Sequence, residues 1–200
     1  MSDIRKALRA DRTASAPDTR AFVGRAADAG LIDVAYATTD SPFGPLLVAV
    51  TPAGLVRLAY PDQRPDDVLD DLAARVSPRV LESPAQLDAV RADLDDYFEG
   101  RSRRFRTRVD WSLTSGFGQR VLRATAAIPF GRVSTYRDIA AAAGSPRGSR
   151  AAGNALGANP IPIVIPCHRV VGAGGSLTGY GGGLDRKALL LRLEGALLDA

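Results

Sequence analysis

Between residues 31 and 60 the apolar positions fall in short runs separated by turn residues. Ile32, Val34 and Tyr36 alternate with more polar or small neighbours, and Asp40-Ser41-Pro42-Phe43-Gly44 then signals a turn. Residues 46–50 are continuously apolar, Thr51-Pro52-Ala53-Gly54 is a second turn, and residues 55–60 form a third run. Short bounded runs of this kind predict strands, here a small antiparallel meander. Ahead of it, residues 18–29 have helical potential that Gly30 would stop. From Pro65 the period lengthens. Val68, Leu69, Leu72 and Val76 fit one helical face, and Leu87, Val90, Leu94 and Tyr97 fit another that Gly100 ends.

The second half reads differently. Phe117, Val121, Leu122 and Ile128 mark a helix that breaks at Pro129-Phe130-Gly131. Residues 136–143 make a short helix closed by Gly144, and Ser145-Pro146 has the form of an N-cap followed by proline at the first position of a second helix over 147–158. Two short helices joined by a tight glycine turn form a helix-turn-helix, a unit that serves both groove binding and plain core architecture. Beyond it, Pro160, Pro162 and Pro166 predict an extended chain. Asn159 is placed to bond a turn and fix the second helix against that segment. A last helix over 185–198 is expected to turn Leu189, Leu190 and Leu193 inward and to carry Glu194. A few strands with amphipathic helices, then a mainly helical part, make the chain an α/β protein.

Composition adds two constraints. The 200 residues are 46% hydrophobic, enough for a core, with no run near the roughly 20 apolar residues of a membrane span. Residues 1–11 lack the apolar centre of a signal peptide, so a cytoplasmic location is expected. Residues 1–100 carry 11 Lys+Arg against 17 Asp+Glu, whereas residues 101–200 carry 15 against 5. The basic surplus therefore lies in the second half and suits a polyanion or a solvated face. Five arginines crowd residues 101–108, a linker or edge segment open to both readings.

The candidate chemistry is concentrated in Pro166-Cys167-His168-Arg169-Val170-Val171, which holds the only cysteine and the only histidine. One cysteine excludes an internal disulfide, and one of each cannot complete a Cys/His zinc site, so no metal or other cofactor is expected. A thiol with a pKa of roughly 8.5 needs an imidazole or a positive field to become a nucleophile near neutral pH, and His168 can supply one; the alternative is an inert buried thiol. Upstream, the second helix is nearly bare: Gly148, Ser149, Ala151, Ala152, Gly153, Ala155 and Gly157 let it approach another surface closely, and Arg150 is the long side chain in its middle. Downstream, Gly172-Ala173-Gly174-Gly175 and Gly179-Tyr180-Gly181-Gly182-Gly183 form a loop able to bring backbone N–H groups near a flat ligand. It lacks the ending of a phosphate loop.

With these residues assembled, the chain resembles the O6-alkylguanine-DNA alkyltransferases over residues 33–196, most densely from Gly131 to Gly195, where Asn-Pro-x-Pro precedes Pro-Cys-His-Arg-Val-Val. The resemblance implies a ribonuclease-H-like sheet domain over 32–108, a helix-turn-helix domain carrying the active cysteine over 109–200, and an extension of unknown role over 1–31. It implies a monomer that binds the minor groove of double-stranded DNA, rotates an O6-alkylguanine (and O4-alkylthymine) out of the stack, and accepts the alkyl group once. Cys167 matches the acceptor, His168 and Glu194 its proton relay through a water, and Asn159 the hinge asparagine. Arg150 matches the finger that fills the gap left by the base, on a helix whose Ala151 and Gly153 lie against DNA, and Tyr136 the tyrosine that presses on the phosphate and donates a proton. Leu156, Pro162, Tyr180 and Gly181 would line the pocket, with the carbonyls of Cys167 and Val170 accepting from the guanine amine.

Gly181 stands where some relatives have a serine, and the zinc ligands and zinc-binding regulatory domain of other relatives are absent. Three other readings compete. A non-catalytic damage-recognition protein of the alkyltransferase-like type would have tryptophan where Cys167 stands. A transcription factor would need base-reading side chains on the second helix. A cysteine hydrolase would normally draw its histidine from a distant point in the chain.

Overall fold

The computed structural model describes residues 19–196, so residues 1–18 and 197–200, with the start of the first expected helix and the end of the last, lie outside the described residues. Helix α1 (Thr19–Asp28) precedes β1 (Val34–Thr39), β2 (Leu46–Thr51) and β3 (Gly54–Ala59), the expected antiparallel meander. A fourth strand, β4 (Val80–Glu82), pairs parallel with β1 and completes a sheet of order β3-β2-β1-β4. The sequence gives little sign of it, because three residues are too few to show a period. Helices α2 (Pro65–Arg75) and α3 (Asp88–Phe98) take opposite sides of the sheet. Val34, Leu47, Ala49 and Val56 pack with Val68 and Leu72 of α2; Ala35, Leu46, Val48 and Leu58 pack with Val90, Leu94 and Tyr97 of α3. With both faces covered, β2 reads as an unbroken apolar run rather than an alternating one.

The Arg-rich segment 101–108 is an edge element tied to the first half. Leu55 N donates to Arg108 O at 2.8 Å and Asp110 N to Leu55 O at 2.8 Å, while Arg106 clasps Asp93 and Asp96. Helix α4 (Gly116–Ala126) leads to β5 (Ser134–Thr135), α5 (Tyr136–Ala142) and α6 (Ser149–Gly157), and α7 (Leu184–Leu193) closes the described chain. The α5–α6 pair has the expected helix-turn-helix order. Its second helix starts at Ser149 rather than 147, and its N-cap is Gly148 rather than Ser145, whose carbonyl instead accepts from Gly148 N in a turn.

Two further expectations fail. The segment after Asn159 is not extended. Ile165 N reaches Ile161 O at 2.9 Å, Val164 N reaches Pro162 O, Cys167 N reaches Ile165 O, and residues Cys167–Arg169 form a 3-10 turn. Prolines forbid helix, but their fixed φ also suits tight turns; Pro166 at φ −82°, ψ 63° is the centre of an inverse γ-turn. Ile163, buried at φ +74°, holds a backbone conformation that a β-branched residue adopts only when its surroundings enforce it. In α7 the inward face is Lys187, Leu190, Leu191 and Glu194; Leu193 is half-buried and Leu189 faces solvent.

Candidate active site

Three local devices fix the site. Thr135 caps α5, its hydroxyl accepting from Asp138 N at 3.2 Å, so Tyr136 begins the helix. The parallel pairing of β5 with β6 (Val170–Val171) then sets Tyr136 beside the chain that leaves the Cys167 turn. Asn159 organises that turn from its other end: Ile161 N donates to Oδ1 at 3.0 Å, and Nδ2 donates to Ile165 O at 2.9 Å and toward Cys167 Sγ at 3.1 Å.

Cys167 opens on a cleft of about 380 Å³ that Tyr136, Arg150, Gly153, Leu156, Tyr180 and Gly181 also line. Above it, α6 presents Arg150, Ala151, Asn154 and Gly157 to solvent, and buries Ala152 and Leu156. Not all of its small residues serve the outer face: Gly153 admits the Tyr136 ring, and Ala155 meets Gly118 of α4. Asn159 and Pro162 line a smaller recess on Cys167, and Ala151 and Val170 line neither space. Tyr136 directs its hydroxyl at the carbonyls of Thr178 and Gly179, at 2.8 and 2.9 Å.

His168 turns away from the cleft and is fully buried. Its Nε2 lies 2.9 Å from Glu194 Oε1, which also accepts from Tyr97 Oη at 2.7 Å and Arg169 Nη2 at 2.9 Å; Glu194 Oε2 accepts from Arg169 Nε at 2.8 Å. The His168 and Arg169 donors hold the Glu194 carboxyl down to about 2, outweighing its desolvation, so it is an acceptor only. His168 Nε2 must then carry the proton, which leaves Nδ1 as a lone-pair acceptor; it makes no hydrogen bond to the described protein. Burial also lowers the His168 pKa, and the imidazole rests neutral.

No hydrogen bond joins the imidazole directly to the thiol. Burial pushes Cys167 up to about 11, only partly offset by the Asn159 hydrogen bond. Three buried partners were missed in the sequence. Tyr97 reads as one more apolar position, although a buried hydroxyl demands an acceptor. Arg169 shares Glu194 with His168 and donates to Ile128 O at 2.6 Å. Lys187 donates to Val170 O at 2.6 Å and Thr178 O at 2.9 Å, and burial lowers its pKa to about 8. Among the described residues no cluster of three His, Cys, Asp or Glu side chains is assembled, and no helix is long and apolar enough to cross a membrane.

Residues 34–111 match the ribonuclease-like domain, and residues 116–196 the DNA binding domain, of 6-O-methylguanine DNA methyltransferase. The chain belongs to this family. Its activity is DNA repair by transfer of an alkyl group to a protein cysteine, once per molecule, and DNA is its partner. The methylated-DNA–protein-cysteine methyltransferase of Mycolicibacterium paratuberculosis is 42% identical over 161 residues, covering 80% of this chain and 92% of that protein. The inducible enzyme of that name from Bacillus subtilis is 39% identical over 74% of this chain and 82% of its own. The solved Mycobacterium tuberculosis OGT in complex with DNA superposes with a TM-score of 0.70 at 38% identity, covering 81% of this chain and 93% of that one.

Proposed function

We propose that the alkyl group comes from O6-alkylguanine, and from O4-alkylthymine, in double-stranded DNA, and that Cys167 is its acceptor. The observation that carries this reading is the cleft: it sets the lone thiol at the foot of the exposed, small-residue face of α6, with Arg150 and Tyr136 at its mouth. A stacked base hides its O6 atom, so the base must leave the duplex, at a cost of a few kcal/mol. Arg150 reaches from α6 to fill the gap, the exposed Ala151 lets the helix lie close to the groove, and Tyr136, which Gly153 admits against the helix, presses on the adjacent phosphate.

In the pocket, Leu156, Tyr180 and Gly181 surround the base, with Pro162 at the adjoining recess, and the carbonyl of Cys167 accepts from its amine, whereas Val170 lines neither space. Lys187 already occupies one lone pair of Val170 O. His168 Nδ1 takes the thiol proton through a water, and Glu194 stabilises the imidazolium. The sulfur then attacks the alkyl carbon, the carbon–oxygen bond breaks, and the guanine oxygen leaves with the electron pair while Tyr136 donates a proton. The product is a thioether. Asn159 keeps the turn and the thiol in register. We assign residues 32–108 to the scaffold and 109–200 to the reactive domain of a monomer in the cytoplasm, a compartment that keeps a lone thiol reduced.

Intact mass before and after incubation with an oligonucleotide containing O6-methylguanine, followed by peptide mapping, tests this. A gain of one methyl on the Cys167 peptide, stoichiometric and never exceeded, is expected. Methyl on any other residue would overturn the assignment, as would tight binding to the lesion with no gain.

A further inference from the structure

Two spaces meet at the acceptor. Besides the cleft, a recess of about 50 Å³ shares Cys167, Leu156 and Tyr180 with it and is completed from the first half of the chain by Tyr60 and Gln63. Cys167 and Tyr180 thus border both spaces. Tyr60 follows directly on β3, the edge strand, and that edge is fastened to the reactive segment: Leu58 N donates to Pro160 O at 2.9 Å. The Tyr60 and Tyr180 hydroxyls are 2.8 Å apart and their rings meet edge to face at 6.4 Å. The Arg186 guanidinium lies 4.5 Å from the centre of the Tyr60 ring, which is 3% exposed. Gly182 is pinched between the same two rings, since a Cβ there would come within 2.6 Å of both. Neither ring has room to swing toward that backbone.

We infer that Tyr60 is a positioning residue that limits the size of the alkyl group transferred, by holding Tyr180 as a fixed wall and filling the space beyond it. The inference rests on the alkyl-transfer reading above. A methyl group needs nothing past the sulfur. A longer group needs room beside the sulfur, and the recess that Tyr60 closes offers about 50 Å³; an apolar cavity that holds benzene measures about 150 Å³. The limit is thus set by the ribonuclease-like half, acting through Tyr180 on a reaction carried out by the other half.

The test is single-turnover alkylation of Cys167, read by intact mass, for wild type, Tyr60→Leu and Tyr60→Phe on duplexes with O6-methylguanine or O6-benzylguanine. Tyr60→Leu is expected to raise the benzyl-to-methyl rate ratio roughly tenfold, the low end of what a change in pocket size produces. Tyr60→Phe, which keeps the ring but loses the hydroxyl pair, moves the ratio the same way by less. Simple damage to packing would slow both substrates together, and an unchanged ratio in both variants overturns the inference. Should Tyr60→Leu fail to fold, the Tyr60→Phe ratio decides alone. Wild-type protein that alkylates Cys167 from neither duplex would instead sink the transfer reading on which the inference stands.

Discussion

Cys167 and His168 are neighbours in the chain with opposite surroundings. The thiol faces a cleft walled by glycines, small side chains and two tyrosines, with Arg150 at its mouth. The imidazole is sealed in a cluster where one carboxylate, Glu194, accepts from His168, Arg169 and Tyr97. The cleft is shaped for a guest and keeps few fixed contacts of its own. The cluster has almost every donor satisfied, and the one polar atom without a protein partner is His168 Nδ1, the lone pair that the proposed proton transfer requires. In the proposed mechanism, recognition and proton handling are thereby separated by a single peptide bond. That separation predicts that damage to one side should be distinguishable from damage to the other.

The largest effect should come from the cluster. Glu194→Gln removes the charge that orients the imidazole and stabilises its protonated form, and loss of a positioned base of this kind costs about 10²–10⁴ in rate. The same change leaves the buried Arg169 guanidinium without its anion, a loss of about 3–5 kcal/mol of stability. Transfer from a duplex and from the free alkylated base should slow alike, as measured by single-turnover mass spectrometry. Slowing confined to the duplex would place Glu194 in recognition and erase the separation.

On the cleft side, Arg150→Ala should slow repair of duplex DNA by about 10–100-fold, since extruding a base costs a few kcal/mol and the finger offsets part of it. Reaction with free O6-benzylguanine should be unchanged, because no base has to be flipped. Equal slowing on both substrates would show that Arg150 acts on the chemistry.

How far this division can be read from the sequence depends on which side is asked about. The cleft is legible, because bare helices, glycine loops and a lone Cys-His pair are compositional signals that survive without coordinates. The cluster is not. In α7 the run Leu189-Leu190-Leu191 fits more than one helical face, and the face that is buried is the one that also carries Lys187 and Glu194. A lysine on an apolar face argues against burial until its acceptors are known, and these are carbonyls 8, 9 and 17 residues away in the chain. The proline-rich segment fails for a related reason: proline announces where helix ends and says nothing about the tight turns that Asn159 then imposes. The meander was readable from its turn-bounded apolar runs, helices α2–α4 from their period, and the α5–α6 pair from the glycine and the Ser-Pro that punctuate it.

Lys187 joins the two sides, spanning from Val170 O behind the turn to Thr178 O on the cleft loop. Lys187→Met keeps the length of the side chain and loses the ammonium, leaving the buried Val170 carbonyl without that donor at a cost of about 1–3 kcal/mol. The expected result is a fall in thermal midpoint together with faster proteolysis at residues 172–183, and a smaller loss of transfer rate than either substitution above. An unchanged midpoint and cleavage pattern would mean that the loop holds itself and that the two sides are independent.

The smallest effect is a pH dependence of the stability gap to wild type that only the cluster variant should show. The folded-state pKa of Glu194 lies at about 2, below the ordinary 4.5, so its contribution to stability is fully present above 4.5 and is lost as pH falls from 4.5 toward 2. Asp33 and Asp93 are lowered as well, so the fall in wild-type stability over that range is shared. The difference between wild type and Glu194→Gln isolates the cluster: it should be constant from pH 7 to about 5 and narrow below 4.5. The same comparison with Arg150→Ala should show no such narrowing, because the exposed finger has no buried carboxylate to protect. Chemical denaturation of the three proteins at a series of pH values measures both curves. A gap for Glu194→Gln that stays constant down to pH 2.5 would mean that the carboxylate contributes through packing and not through its charge.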